Sequence, residues 1–341
     1  METKKQNLEF IAEVSANHLG SLNRAKQIIY AAANAGASAI KFQTYTADTM
    51  TLDIDSPNFR VSSEHELWGG ENLYNLYRKA FTPWEWHREL FDLCRELGVK
   101  PFSSPFDPSA VEFLESLNAP MYKIASLETG DLELIRMVAQ TGKPLIISTG
   151  ATEWSEIEDV VSTVQKTGNR DLTLLVCTSS YPSMPADAHL NRISTLRNKF
   201  SVKVGVSDHT LGIGVSIAAI ALGATVIEKH FTLRRSDGGF DGAFSMEPSE
   251  FEMLVNEGNS AFQALGNSEW RMQNVERESR RLRRSLYIVR NVLHGEIVSR
   301  ENVRAIRPSG GCPPKIIENL LGKKFKSDFI AGTPMSEKYV E

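Results

Sequence analysis

The sequence predicts an α/β fold, a TIM (β/α)8 barrel followed by a small β-rich C-terminal domain. Three observations predict it. Eight short strand-like segments alternate with helical patterns from residue 8 to about 265, close to the roughly 250 residues such a barrel occupies. The segments are mostly apolar along both faces, as parallel strands covered by helices are. After Leu265 the texture changes to a polar, charged stretch and then to short segments rich in Gly and Pro. A chain of 341 residues fits about two domains at roughly 150 residues each.

In order, the strand segments are 10–15, 39–43, 100–103, 122–125, 145–148, 174–177, 203–207 and 226–230. A helix over 23–35 follows the first strand. Thr82-Pro83-Trp84-Glu85 reads as the next helix start, with Thr82 as cap, Pro83 in the first turn and Glu85 closing a capping box. Asp107-Pro108 is a similar start. Helices over 131–141, 153–166, 214–222 and 249–265 follow, the last opened by Ser249 and Glu252 at capping-box spacing. Residues 44–80 are too many for an ordinary βα loop and read as an excursion over one barrel end. A doubly wound dinucleotide-binding sheet is the competitor, but Ala16-Asn17-His18-Leu19-Gly20 stands where a G-x-G-x-x-G should follow the first strand. The barrel domain is 1–265 and the linker 266–284, which ends in the basic run Arg277 to Arg284. The tail domain, 285–341, opens on Leu286-Tyr287-Ile288-Val289. That tail is near the lower size at which a domain folds unaided, so it is expected to lean on the barrel or on a second subunit.

Composition narrows the function classes. Hydrophobic residues make up 41% and charged residues 23%, which excludes a disordered chain and a disulfide scaffold. The formal charge, 38 − 42 = −4, disfavours nucleic-acid binding. No run of about 18 apolar residues predicts a membrane span. The start, Met1 to Gln6, lacks the features of a signal peptide, and Cys94, Cys177 and Cys312 have no paired spacing. Both point to a cytoplasmic protein with reduced thiols that pack or sit in loops.

Barrel enzymes carry their chemistry at the C-terminal ends of the strands, and polar residues collect there: Glu13, Lys41 with Gln43, Ser103-Ser104, Lys123 with Ser126 and Glu128, Ser148, Ser179 with Tyr181, Ser207 with His209, and Glu228 with His230. Side chains of a strand alternate faces with period two. Lys41 and Gln43 therefore share a face, as do Ser207 and His209, and Glu228 and His230. Burying all of these in a plain core would cost several kcal/mol each without partners, on the order of 2–7. A ligand site explains them together. His209 and His230 end consecutive strands, about 4.8 Å apart. They could share a divalent metal, form a hydrogen-bonded pair, or contact substrate. Lys41, Lys123 and the hydroxyls of Ser104, Ser126, Ser148 and Ser207 suit a small phosphorylated or carboxylated anion. Glu13 could act as acid or base, or hold a sugar hydroxyl. Trp84 and Trp86 read as packing residues rather than a sugar platform.

These residues stand in motifs that resemble the sialic acid (nonulosonic acid) synthase family. The motifs are Ile11-Ala-Glu-Val-Ser-Ala-Asn-His-Leu-Gly20, Ile40-Lys-Phe-Gln43, Phe102-Ser-Ser-Pro-Phe106, Tyr122-Lys-Ile-Ala-Ser126, Ser148-Thr-Gly150, Gly205-Val-Ser-Asp-His209 and Ile227-Glu-Lys-His-Phe231. The tail, with Arg307-Pro308 and Gly322-Lys323, is similar to the antifreeze-like (SAF) domain that ends those proteins. Within the family, Leu67 to Tyr77 followed by Thr82 to His87 looks most like the pseudaminic acid synthases.

The resemblance implies condensation of phosphoenolpyruvate with the open-chain aldehyde of an N-acetylated amino sugar, releasing phosphate. It implies a divalent metal, manganese first and magnesium or cobalt as substitutes, on His209 and His230. Lys41, Ser104, Lys123, Ser126, Ser148 and Ser207 become the phosphoenolpyruvate cradle. Gln43, Glu128, Tyr181 and Asp241 line the sugar side, Ser179 stands there in place of the Asn usual in sialic acid synthases, and Glu13 lies near the reacting carbons. A domain-swapped homodimer is implied, with Arg307 of one subunit reaching over the barrel of the other. Ala125-Ser126-Leu127 and Ser103-Ser104 also depart from the sialic acid synthase pattern. They spare the anion ring and point to a sugar other than N-acetylmannosamine.

Overall fold

The computed structural model describes residues 8–63 and 68–341; the chain start, residues 1–6, and Leu67 lie outside them. Contacts divide the chain into two compact units, Met1–Gly266 and Asn267–Glu341.

In the first unit eight parallel strands close into a barrel in sequence order. They are β1 (Glu9–Glu13), β2 (Ala39–Thr44), β3 (Lys100–Pro105), β4 (Tyr122–Ile124), β5 (Leu145–Ser148), β6 (Leu172–Cys177), β7 (Lys203–Ser207) and β8 (Val226–His230). β1 pairs with β8, and Glu13 stands opposite both Lys41 and His230. The first strand is shorter than 10–15 because Val14 is already right-handed helical and Ser15 takes a φ of 45°. The barrel interior holds Ile11, Ala39, Phe102, Met121, Ile146, Leu175 and Val226 in one cluster. The outward residues, among them Phe10, Ala12, Phe42, Ile124 and Ile147, pack under the helices in a second, larger cluster. One glycine is required by the closure: a Cβ on Gly205 of β7 would lie 2.2 Å from the Val226 carbonyl oxygen, closer than any side chain permits.

Most helices start where the sequence places them. Ser21 caps Leu22–Asn34, Asp107 caps Pro108–Ser116 and Asp131 caps Leu132–Gln140, each accepting from backbone N–H groups of the first turn. Two expected starts are wrong. Trp84–Glu96 begins at Pro83 without a side-chain cap; the Thr82 hydroxyl is buried and meets His18 Nε2 at 3.3 Å instead. The last barrel helix is Pro248–Ala264, and its capping box is Glu247 with Glu250, two residues before Ser249 and Glu252. Pro248 fixes that start, because its ring suits the first helical position. A helix the sequence reading did not name, Arg192–Phe200, fills the gap between β6 and β7. Trp84 stacks on Phe113 and Trp86 sits edge-on to His18, so both are packing residues.

The second unit carries an antiparallel pair, β9 (Ser285–Ile288) and β10 (Val303–Ile306), with Leu286 opposite Ala305. Its core is Leu286, Ile288, Val292, Val298, Val303, Leu320, Phe325, Met335 and Val340. Residues 267–284 cluster with this unit and include the short helix Arg277–Arg281, whose Arg281 carbonyl accepts from Ser309 N–H. No described helix is long and apolar enough to cross a membrane.

Candidate active site

The period-two alternation of the strands builds the site. On each inward face an apolar residue plugs the barrel and a polar one stands above it. Ile11 is followed by Glu13, Ala39 by Lys41 and Gln43, Phe102 by Ser104, Met121 by Lys123, and Ile146 by Ser148. The later strands continue with Leu175 then Cys177, Gly205 then Ser207, and Val226 then Glu228 and His230. All of these polar residues except Ser104 floor a cavity of about 460 Å³. Loops after the strands add Ser126, Glu128, Ser179, Tyr181, His209 and Asp241, and the 44–80 excursion roofs it with Met50, Leu73 and Tyr77 among others.

Of the sequence-predicted residues, Glu13, Lys41, Gln43, Lys123, Ser126, Glu128, Ser148, Ser179, Tyr181, Ser207, His209, His230 and Asp241 all line this cavity. Ser104 is not on its surface; it is buried one strand from Gln43, with its hydroxyl unpaired. Arg307 belongs to the second unit, exposed just after β10. Among the other lining residues, Glu228 stands at a strand end in the sequence reading but is given no role there, and Cys177 is read as a packing or loop thiol. Both continue the inward alternation of their strands, and that signal places both in the cavity. Cys177 in particular is not a plain packing thiol.

At the floor, Lys41 Nζ lies 2.9 Å from Glu228 Oε1 and 3.1 Å from Glu13 Oε2. Lys123 Nζ lies 3.6 Å from the same Glu228 oxygen, which also accepts from the Ser207 hydroxyl at 3.0 Å. All four charged groups are buried. Burial alone would raise Glu228, but Lys123 and Lys41 outweigh it and hold the carboxyl well below the usual range. Burial pushes Glu13 up to about 7, against the pull of Lys41 and helped by the negative charge of Glu228. Burial lowers Lys123, whereas Glu13 and Glu228 overcome the same effect at Lys41 and raise it. Two ammonium groups and two carboxyls meet at the floor, and with Glu13 near 7 its proton sets how much positive charge is left for an anion.

Higher in the cavity the His209 and His230 rings lie 5.4 Å apart, centroid to centroid. His209 Nδ1 meets the Thr178 carbonyl oxygen at 2.9 Å, and the ring also interacts with the Cys177 thiol, which with the Thr178 contact raises its pKa against the effect of burial. His230 Nδ1 is buried without a partner, and burial with the neighbouring His209 holds its pKa well below the ordinary value. A neutral imidazole with an orphaned nitrogen suits a metal ligand. Among the described residues no group of three or more His, Cys, Asp and Glu is arranged to hold a metal. Two imidazoles are the protein ligands on offer here, so a cation held between them would need its remaining ligands from water and substrate. Gly150, at the end of β5, leaves space for the hydroxyls beside it: a Cβ there would lie 2.3 Å from Ser179 Oγ and 2.8 Å from Ser126 Oγ. Asp241, raised by burial, accepts from the Ala16 N–H.

One observation draws these together. Among the described residues nine buried side-chain oxygen and nitrogen atoms lack a hydrogen-bond partner, and seven of them, on Glu13, Glu128, Ser148, Ser179, Glu228 and His230, belong to the cavity wall; of the seven, Glu13 Oε2 has its ion pair with Lys41. Unpaired buried polar atoms are rare and costly elsewhere, so their concentration here marks a surface made for a polar ligand.

Comparison with known proteins agrees. The model of the NeuB family matches residues 28–270, and that of the SAF domain matches residues 283–341. The chain is similar to a pseudaminic acid synthase of Helicobacter pylori, 44% identical over 334 residues, 98% of each chain. It is 35% identical to an N,N'-diacetyllegionaminic acid synthase of Legionella pneumophila, over 97% of this chain and 94% of that one. Among solved structures it resembles an N-acetylneuraminic acid synthetase of Leptospira borgpetersenii, with a TM-score of 0.72 and 33% identity over 80% of this chain and 90% of that one.

Proposed function

The chain belongs to the NeuB family, and from that premise we propose that it condenses phosphoenolpyruvate with 2,4-diacetamido-2,4,6-trideoxy-L-altrose and water to give pseudaminic acid and phosphate. The observation that carries the reading is the floor at the C-terminal end of the barrel, where two buried lysines stand among polar atoms without hydrogen-bond partners. The specific sugar rests on the higher identity to the pseudaminic acid synthase than to the legionaminic acid synthase.

Lys41 and Lys123, with the hydroxyls of Ser126, Ser148 and Ser207, hold the phosphate and carboxylate of phosphoenolpyruvate, a contribution of positioning and charge stabilisation; Ser104, off the cavity surface, takes no direct part. Carbon 3 of phosphoenolpyruvate forms the new bond to the aldehyde carbon, and carbon 2 gains cationic character. Water adds at carbon 2, and the tetrahedral phosphate ester collapses with loss of phosphate. Glu13, with a carboxyl near 7, can hold or release a proton at neutral pH and takes the proton of that water. Gln43, Glu128, Ser179, Tyr181 and Asp241 face the sugar. A divalent cation on His209 and His230, manganese in this reading with magnesium or cobalt as substitutes, would polarise the sugar aldehyde as a Lewis acid.

The reading includes a cytoplasmic, domain-swapped homodimer in which Arg307 serves the other subunit's barrel. Three free cysteines support the compartment. Leu127, exposed on the cavity lining, supports a mouth covered by a partner.

The test is product identification. Phosphoenolpyruvate and a panel of amino sugars are incubated with the full chain, phosphate is measured, and products are assigned by NMR and mass spectrometry. Pseudaminic acid with equimolar phosphate is expected. Selective use of N-acetylmannosamine or the legionaminic precursor would replace the sugar assignment, and pyruvate-dependent product without phosphate would replace the chemistry with that of an aldolase.

A further inference from the structure

A buried ion pair lies behind the two histidines, off the cavity surface. Lys229 alternates with the inward Glu228 and His230, and Ile227 and Phe231 on its own face belong to the apolar layer under the helices. Asp208 precedes His209 at the end of β7. Lys229 is 1% exposed and Asp208 4%, and neither lines the cavity. Lys229 Nζ lies 3.1 Å from Asp208 Oδ2 and donates to the carbonyl oxygens of Thr210, at 2.6 Å, and Gly212, at 3.2 Å. Asp208 Oδ1 accepts from the N–H and the hydroxyl of Thr210, at 2.9 and 2.7 Å, and Oδ2 accepts from the Ser216 hydroxyl at 2.6 Å. The ammonium therefore spends all its donors, and every one of these bonds ends within residues 208–216.

A buried pair of this kind is often no more stabilising than two apolar side chains of the same volume, and the layer around Lys229 is apolar. What apolar side chains would not supply is direction. The bonds grip the chain on both sides of His209, at Asp208 and at Thr210. The His209 carbonyl oxygen in turn accepts from the Ser183 N–H at 3.1 Å, and the Tyr181 ring lies 4.4 Å from the His209 ring, centroid to centroid. The loop after β6 thus rests on the same segment. Resting on the condensation reading, we propose that Asp208 and Lys229 are positioning residues: they fix the loop after β7 so that the His209 ring keeps its place beside His230 and Tyr181. The pair does not touch the ligand, and its effect reaches the reaction through His209. A displacement of about 1 Å in a site can cost on the order of 100-fold in rate. Lys41 and Lys123, on β2 and β4, share no bond with the pair.

The test is a neutral pair, Asp208→Asn with Lys229→Met, in the full chain. Asn keeps an acceptor for Thr210 and Met keeps much of the lysine stem, whereas the carbonyl oxygens of Thr210 and Gly212 lose their donor. Phosphate release with 2,4-diacetamido-2,4,6-trideoxy-L-altrose should show kcat lowered by ~10–100-fold. The KM for phosphoenolpyruvate and the melting temperature of the ligand-free protein should stay near the parent values. Manganese binding to the substrate-free chain, read by EPR of the free ion, should weaken by about tenfold. Ser216→Ala, which keeps both charges, should show the same losses to a smaller degree and replaces the double variant if that one does not fold. A folded variant with the parent's kcat and manganese affinity overturns the proposal and leaves the pair a structural one. A rise in the KM for phosphoenolpyruvate as large as the fall in kcat also overturns it, because the floor has then moved with the loop. If the parent binds manganese but releases phosphate from no amino sugar, the condensation reading fails and the pair stands or falls by manganese affinity. If the parent releases phosphate without binding manganese, the metal role fails and the pair stands or falls by kcat. A parent that does neither overturns both.

Discussion

Glu128 shows how a single buried carboxyl ties the site to pH. Burial pushes it up to about 7, against the attraction of Lys123, from an ordinary 4.5. Between those two values the folded chain keeps a proton that the unfolded chain has released. Stability therefore falls as pH rises from about 4.5 to about 7 and stays at the lower level above that window. Glu128→Gln is neutral throughout. Calorimetry of the ligand-free protein should find the variant melting above the parent at pH 8, with the gap closing towards pH 4.5. A gap of equal size at both pH values would count against a raised carboxyl. His209 gives the second prediction at this scale. His209→Ala should remain folded by circular dichroism and lose phosphate release even with added manganese. Full activity in that variant, or after exhaustive chelation, would remove the metal from the mechanism.

At the scale of elements, caps and close approaches decide where the chain turns. Asp107 accepts from the N–H groups of Ser109 and Ala110 at the start of Pro108–Ser116. Asp107→Ala should cost about 1 kcal/mol of stability, read as a lower urea midpoint with an unchanged slope. Thr82 looks identical in sequence but its hydroxyl is committed to His18, so Thr82→Ala acts through a buried hydrogen bond and not through a helix end. The difference lies in what surrounds each residue: Asp107 is half-exposed, whereas Thr82 is buried beside His18, whose Nε2 takes its hydroxyl.

For the whole molecule, the claim to test is that the two units divide the work. Deleting residues 285–341 should impair use of the sugar more than it impairs folding of the barrel or binding of phosphoenolpyruvate. Circular dichroism, calorimetry with phosphoenolpyruvate and phosphate release separate the three. A truncated chain with unchanged kcat/KM for the sugar would show that the tail has no part in catalysis. Leu127, exposed on the cavity lining, gives the physical reason for expecting a loss, because an apolar side chain at a binding mouth is wetted when nothing covers it.

The sequence by itself determined the barrel, its strand order and most of its site, because both rest on local periodicities. Period two puts Glu13, Lys41, Lys123, Ser148 and Ser207 on inward faces regardless of what lies across the barrel. Asp107, Asp131 and Glu153 with Glu156 announce helices within a few residues of chain. Only the tertiary structure decided the interactions between distant strands. It joined Glu228 to two lysines from β2 and β4, set Cys177 beside His209, drew Thr82 away from its helix, and turned Met50, Leu73 and Leu76 over the mouth. Those outcomes depend on which partner arrives first in a desolvated space, and chain spacing carries no record of it.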